Sequence, residues 1–408
     1  MLVRLRLCMR CNLMIRTQAT IVLCAALFSA SGLLAQEATP PAEKAKPQAM
    51  DPTAVLDEQQ WKEVDEVVDR ALKWLAAKQG KDGSFPSIEN GQPGVTSLCL
   101  LAFMSQGHIP GEGEYGDQLQ RALDYIVSCQ KRNGILAAAL PESENISRAI
   151  EHQIGYSSVY NHAIAALALS ESYAMGGSDQ TKQIKPIIQK ALQATYQMQD
   201  FRKKSKDDEG GWRYLDDYDD VDADLSITGW HLMFMRSAKN AGFDIQQERV
   251  KRSVEYVHRC FMEDRGTFTY KIGYRNRASR GMAGAGILAL AHSGLHESPK
   301  AQAAGDWILK SGFRRYNEMG DVKDILSWGD RYHYGLMICS QAMYQLGGRH
   351  WREFFPPAVK ELIAHQNVDG SWKAEKGHRD GKYGNAYTTA ASVLALSATN
   401  ELLPIFQR

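Results

Sequence analysis

Apolar positions along this chain alternate between two kinds of segment. Trp61, Val64, Val68, Ala71 and Leu75 recur at steps of three and four, which predicts an amphipathic helix with one buried face. The next run, Thr96-Ser97-Leu98-Cys99-Leu100-Leu101-Ala102-Phe103, is apolar on every side, and such a helix is buried all round. The alternation continues. Leu119, Leu123, Ile126 and Val127 mark an outer helix and 160–169 an inner one; 184–198 is outer and 227–235 inner; 250–261 is outer and 282–291 inner. Trp307 opens a less regular pair whose inner helix starts near Tyr332, and 355–366 with 387–397 completes the series. The pattern predicts six outer–inner pairs, and no β period is sustained between them.

A turn pattern punctuates the pairs. Gln366-Asn367-Val368-Asp369-Gly370-Ser371-Trp372 near the C-terminus repeats Gln79-Gly80-Lys81-Asp82-Gly83-Ser84-Phe85 near the start. Weaker copies read Glu209-Gly210-Gly211-Trp212 and Arg265-Gly266-Thr267-Phe268. A repeated helix–turn–helix unit of this kind decides the fold before any single residue does. The inner runs are rich in Ala and Gly, as in Gly281-Met282-Ala283-Gly284-Ala285-Gly286, so neighbouring helix axes can approach closely. An open solenoid needs polar end caps, yet the last inner run is as apolar as the middle ones. The expected architecture is an all-α, closed α/α toroid of about six helix hairpins over residues 59–408.

These turns and pairs resemble the terpenoid cyclase and protein prenyltransferase superfamily. The Gln366–Trp372 segment has the shape of the repeat motif of squalene and hopene cyclases, and the likeness covers residues 60 to 408. The resemblance implies that the Gln caps the outer helix and that the Trp stacks on the next turn. It constrains function less, because such toroids host cyclases, prenyltransferases, thioether cyclases and non-enzymatic domains.

Composition adds a destination. The 408 residues carry 48 Lys+Arg against 47 Asp+Glu, so nothing in the charge points to nucleic acid. Residues 1–35 hold Arg4, Arg6, Arg10 and Arg16 and no acid; removing four positive charges takes the formal charge from +1 to −3. A basic start, an apolar run from Ala19 and a small-residue exit predict a signal peptide cleaved after Ala35, with a secreted or periplasmic mature chain and no stable membrane span. Residues 36–58, rich in Pro, Ala, Lys and Glu, read as a disordered tether. Cys99, Cys129, Cys260 and Cys339 remain; an even number permits disulfides, but Cys99 and Cys339 fall in apolar runs that suit buried thiols.

Candidate chemistry gathers before and within the inner helices. Asp207, Asp208, Glu209, Asp216, Asp217, Asp219, Asp220, Asp222 and Asp224 precede the third inner run. The cyclase resemblance implies an alkene-protonating acid here, with Asp222 and Asp224 as acids and His231 as their neighbour, although neither alignment completes the DxDD motif. Asp224 or Ser226 as a helix cap, or a calcium ion on the acids, are the competing readings. His162, His231 and His333 stand near three inner-helix starts, where imidazoles serve a zinc ion, a proton relay or ordinary buried hydrogen bonds. No position-by-position zinc ligand set is found, and no cofactor is required. Tyr156, Tyr160, Trp230, Tyr332, Tyr334, Tyr383 and Tyr387 cluster at the same level; Tyr160, Trp230 and Tyr387 are expected as cavity walls, with His162 and His333 beside them. Tyr outweighs Phe there, which predicts a wetter cavity than a triterpene wants. Two functions follow: a non-catalytic binding module for a cell-envelope protein, glycan or lipid, or a cyclase-like enzyme acting on an isoprenoid or other lipid. A third, polysaccharide cleavage, would need a second carboxylate opposite the acidic stretch.

Overall fold

The computed structural model describes residues 51–141, 148–176, 179–215, 222–274, 278–317, 330–375 and 379–407. The expected signal peptide, most of the expected tether, and Asp216, Asp217, Asp219 and Asp220 lie outside the described residues. The outer helices are α1 (Glu58–Lys78), α3 (Gly116–Ser128), α5 (Asp179–Gln199), α7 (Gln247–Arg259), α9 (Pro299–Ser311) and α11 (Gly348–Ala364). The inner helices are α2 (Gly94–Met104), α4 (Arg148–Met175), α6 (Leu225–Asn240), α8 (Arg280–Ala291), α10 (Tyr332–Leu346) and α12 (Gly384–Leu396). Each inner helix packs on the next in turn, and α12 packs on α2, which closes the ring. The chain is an all-helical α/α toroid; beyond the helices, the described residues hold one short antiparallel pair, β1 (Phe261–Met262) with β2 (Thr267–Phe268).

Small residues set the spacing of the inner ring. A Cβ on Gly286 would stand 2.4 Å from the Phe268 ring, and one on Gly284 would stand 3.0 Å from Ile338. Residues 52–57, assigned by composition to the tether, also pack here: Pro52–Val55 forms a short 3-10 helix against α11, and Trp351 Nε1 donates to the Pro52 carbonyl at 2.9 Å.

The repeated turn stitches each pair to the next. Gln366 Nε2 donates to Gly370 O (2.9 Å) in its own turn and to Val67 O (2.8 Å) on α1, while its Oε1 accepts from Arg70 Nε and Nη2 at 3.0 and 2.7 Å. The glutamine therefore does more than cap its own helix: it joins the last outer helix to the first. Gln79 does the same between α1 and α3, bonding Gly83 O (2.9 Å) and Gln118 O (2.8 Å) and accepting from Arg121 Nη2. Gln199 joins α5 to α7 through Gly210 O (3.0 Å) and Arg249 O (3.1 Å). The turn glycine is obligatory: Gly370 has φ +94°, and a Cβ there would meet Arg70 O at 2.4 Å. A further copy, Gln130–Gly134–Leu136, works identically, with Gln130 Nε2 on Gly134 O and Ile187 O. Its missing aromatic hid it in the sequence.

The two ends of the ring differ. At the C-terminal ends of the inner helices, the last segment of the chain lies across the opening. Asn400 Nδ2 bonds Ser105 O, Asn240 Nδ2 bonds Pro404 O, and Gln345 Nε2 bonds Phe406 O, while Leu403 and Ile405 are buried. The N-terminal ends meet on the opposite face and form a mouth.

Candidate functional site

Helices that all begin on one face bring their positive dipole ends together. The sequence answers with buried acids. Asp224 is the N-cap of α6: Oδ1 accepts from Ile227 N (2.9 Å) and Ser226 Oγ (2.7 Å), and Oδ2 from Arg213 Nη1 (2.7 Å) and Tyr270 OH (3.2 Å). At α8, Asp330 accepts from Arg280 N at 3.1 Å and pairs with the Arg280 guanidinium, both side chains being fully buried. At α10, Glu375 Oε1 accepts from His333 N (2.8 Å) and Nδ1 (2.9 Å). At α2 the cap is an amide, Asn161 Oδ1 accepting from Gly94 N. Each of these caps takes one of the first-turn N–H groups that would otherwise be open to a phosphate or diphosphate.

Tyrosines line the mouth. Tyr156 and Tyr214 have ring centroids 4.3 Å apart, Tyr160 OH is 2.5 Å from Ser226 Oγ, and Tyr214 OH is 2.5 Å from Tyr270 OH. Arg213 lies 4.0 Å over the Tyr214 ring, a cation–π contact that holds the guanidinium in place. On the other side Tyr383 and Tyr387 sit 5.7 Å apart, Tyr387 OH donates to Asp380 Oδ2 at 3.2 Å, and Arg331 Nη1 stands 3.0 Å from Asp380 Oδ1. Tyr334 joins the two halves. Burial first, and then charges including those of Asp224 and Asp380, push its phenol above the ordinary tyrosine range. Its ring fits because Gly281 has no side chain; a Cβ there would stand 2.8 Å away. Desolvation likewise raises the phenols of Tyr160, Tyr270 and Tyr383, yet these residues keep part of their surface accessible. Groups both desolvated and accessible line a recess rather than a core.

The residues expected from the sequence fall in three places. Tyr160, Asp224 and Tyr387 belong to the recess. Asp222 turns to the 203–208 segment: its backbone N–H donates to Asp208 Oδ2, and its side chain accepts from Lys204 N. His162 and His231 lie between the inner and outer layers. His162 Nδ1 accepts from Leu136 N (3.1 Å) and its Nε2 meets Thr195 Oγ1 (3.0 Å). His162 thereby takes the role of Thr96, Thr228 and Thr389, each of which accepts from the backbone of its own turn. His231 donates through Nδ1 to Ile227 O and stacks on Trp212 at 4.7 Å, and its Nε2 has no partner. Burial lowers the His231 pKa to about 4; burial, and then the nearby His231, lowers that of His162 to about 3. Trp230 is buried at 4% exposure. His333 is held by Glu375 and by Tyr316 OH (3.1 Å), apart from the other two histidines. Asp222, Asp224 and His231 share no hydrogen bond among those described.

Sequence reasoning missed Arg213, Tyr214, Tyr270, Arg331 and Asp380. A signal was present for two of them: Tyr214 and Tyr270 each stand two residues after a turn aromatic, Trp212 and Phe268. Among the described residues no group of three or more His, Cys, Asp and Glu side chains is placed to hold a metal ion, and Cys99, Cys129, Cys260 and Cys339 are free and buried. No described helix is long and apolar enough to cross a membrane.

No protein-family model matches the chain, and no curated protein matches it by sequence. Solved structures do match. A variant of the type II terpene cyclase MstE from Scytonema, in complex with geranylgeranyl dihydroxybenzoate, aligns with TM-score 0.54 and 12% identity over 85% of this chain and 99% of that one. The apo form of MstE gives 0.52 and 12% over 84% and 99%. A glycosidase variant gives 0.55 and 11% over 86% and 100%. At these identities the likeness establishes the shared α/α toroid fold.

Proposed function

We propose that this chain is an exported binding toroid whose tyrosine-lined mouth takes an uncharged, polyhydroxylated ligand of the glycan type, and that it is not a class II cyclase. Alkene protonation needs a carboxylic O–H aimed at the substrate. The observation that carries the reading is the state of Asp224, whose two oxygens receive four donors, one of them the Arg213 guanidinium. Neither edge is left for the recess. The acid-capped helix ends argue likewise against a diphosphate, and phenol rings with hydroxyl tips suit sugar faces and their hydroxyls better than a polyprenyl chain. Export, with cleavage near Ala35, and membership of the terpenoid cyclase superfamily are parts of the same proposal. It requires no cofactor; calcium or zinc would have to bind outside the arrangement described above.

The alternative is a cyclase-like enzyme using Asp222, Asp224 and His231. Incubating the mature protein, from Gln36 onward, with linear polyprenyl substrates and separately with oligosaccharides discriminates the two. The binding reading expects saturable saccharide binding and no cyclised product. Cyclised product that disappears in Asp224→Asn would overturn it.

A further inference from the structure

The phenols at the mouth are of two kinds. Some are tied down by the wall itself: Tyr160 OH lies 2.5 Å from Ser226 Oγ, Tyr214 OH lies 2.5 Å from Tyr270 OH, and Tyr387 OH donates to Asp380 Oδ2 at 3.2 Å. Three are not. The hydroxyls of Tyr156, Tyr334 and Tyr383 have no hydrogen-bond partner among the described residues, and none of these oxygens is sealed off by burial. Each of the three residues is half-buried, so the ring packs while its tip stays accessible.

The three come from α4, from α10 and from the residue before α12, yet they meet in one recess. Tyr383 lies within electrostatic reach of Tyr156, Tyr334 lies within reach of Tyr387, and the Tyr383 and Tyr387 rings are 5.7 Å apart. Their rings are held firmly. Tyr156 packs on Tyr214 at 4.3 Å, and glycines make room for the other two: a Cβ on Gly281 would stand 2.8 Å from the Tyr334 ring, and one on Gly91 would stand 2.8 Å from the Tyr383 ring. Fixed rings with free tips lose little freedom when a ligand binds.

We propose that Tyr156, Tyr334 and Tyr383 are the ligand-reading residues of the recess, pairing their free hydroxyls with those of a neutral saccharide, while the bonded tyrosines build the wall. This rests on the reading of the mouth as a glycan site and deepens it. A phenol hydroxyl both donates and accepts, as a sugar hydroxyl does, so either partner can give the proton. A polyprenyl chain filling the recess would strip water from all three tips and leave them unpaired, a cost that a hydroxylated ligand avoids.

The test is calorimetry on the mature protein with cellotetraose, maltotetraose and chitotetraose as probes, repeated on Tyr156→Phe, Tyr334→Phe, Tyr383→Phe and the triple variant. Each substitution keeps the ring and removes a hydroxyl that bonds nothing in the protein, so the urea unfolding midpoint should not move. Affinity for whichever probe binds should fall about three- to tenfold in each single variant and about thirtyfold or more in the triple. Tyr160→Phe, which breaks a bond within the wall, should lower the unfolding midpoint. If the three variants bind the probe as tightly as the unaltered protein, the inference fails while the glycan reading survives. If their affinity falls only in step with the unfolding midpoint, the three tips belong to the wall and the inference fails again. If none of the probes binds the unaltered protein, the glycan reading fails and takes the inference with it.

Discussion

Glu171 gives the sharpest test of how the far end of the toroid is sealed. It sits fully buried near the C-terminal end of α4. Oε1 accepts from Ser237 Oγ at 2.5 Å on α6, and Oε2 from Ile405 N at 3.2 Å in the closing segment. No cation is among these partners. Burial, opposed by the two hydrogen bonds, raises its pKa from 4.5 to about 7. The folded chain therefore binds this proton more tightly than the unfolded chain. Between pH 4.5 and about 7 the unfolded state holds fewer protons, so stability falls as pH rises through that window. The gap amounts to about 3 kcal/mol, fully lost above pH 7. Glu171→Gln keeps the shape and the acceptor oxygen and removes the titration. Urea unfolding of both proteins at pH 5 and pH 8 measures the difference between them. Other titrating groups, including the buried histidines that act in the opposite sense, cancel in that difference. The variant should gain about 3 kcal/mol on the unaltered protein between the two pH values, and amide exchange at Ile405 should quicken with pH beyond the intrinsic trend in the unaltered protein alone. Parallel pH dependences for the two proteins would refute the reasoning.

Other outcomes follow from the same contacts. Burial holds His231 neutral with its pKa lowered from 6.5 to about 4, so its contribution is present above pH 6.5 and is lost as pH falls; His231→Phe should flatten acid unfolding between pH 6.5 and 4 by about 3 kcal/mol if the ring repacks on Trp212. Gln366→Ala should cost about 2–3 kcal/mol in urea unfolding and raise exchange in both α1 and α11, since it removes the stitch between them; a loss confined to α11 would contradict that role. Gly370→Ala should cost more than about 1 kcal/mol, since both the positive φ and the Arg70 carbonyl oppose a Cβ, and an unchanged unfolding midpoint would speak against the turn geometry. Asp224→Asn should destabilise by about 3 kcal/mol or more by leaving Arg213 buried without its charge partner, whereas a neutral result would free Asp224 for chemistry.

How much of this was legible in the sequence depends on distance along the chain. The outer–inner alternation is a local periodicity, and it placed all six helix pairs, including the irregular one after Trp307. The Gln–Gly–aromatic turns were visible wherever an aromatic marked them, and Gln130–Gly134–Leu136 was missed because Leu136 fills that place without the ring. The forward reach of each glutamine was not legible, since Val67 and Gln366 are 299 residues apart. The same holds at the mouth. Acidity near Asp224 stood out as a run, but the partners that define its role, Arg213 and Tyr270, arrive from two different turns. Asp380 was hidden because a single acid before the last inner helix forms no pattern until Arg331 and Tyr387 are folded beside it. The three histidines were expected near inner-helix starts, but α4 begins at Arg148 and puts His162 well inside its helix, His231 falls in the second turn of α6, and only His333 lies in a first turn. His162 and His231 face the outer layer and His333 faces Glu375.

The most direct measurement is saturation-transfer NMR on the mature protein with tyrosine-ring irradiation, presenting oligosaccharides and a linear polyprenyl compound together. Transfer to sugar ring protons, abolished in Tyr387→Ala with the fold intact, is the predicted result. Transfer to the polyprenyl chain alone, accompanied by its cyclisation, would contradict the account.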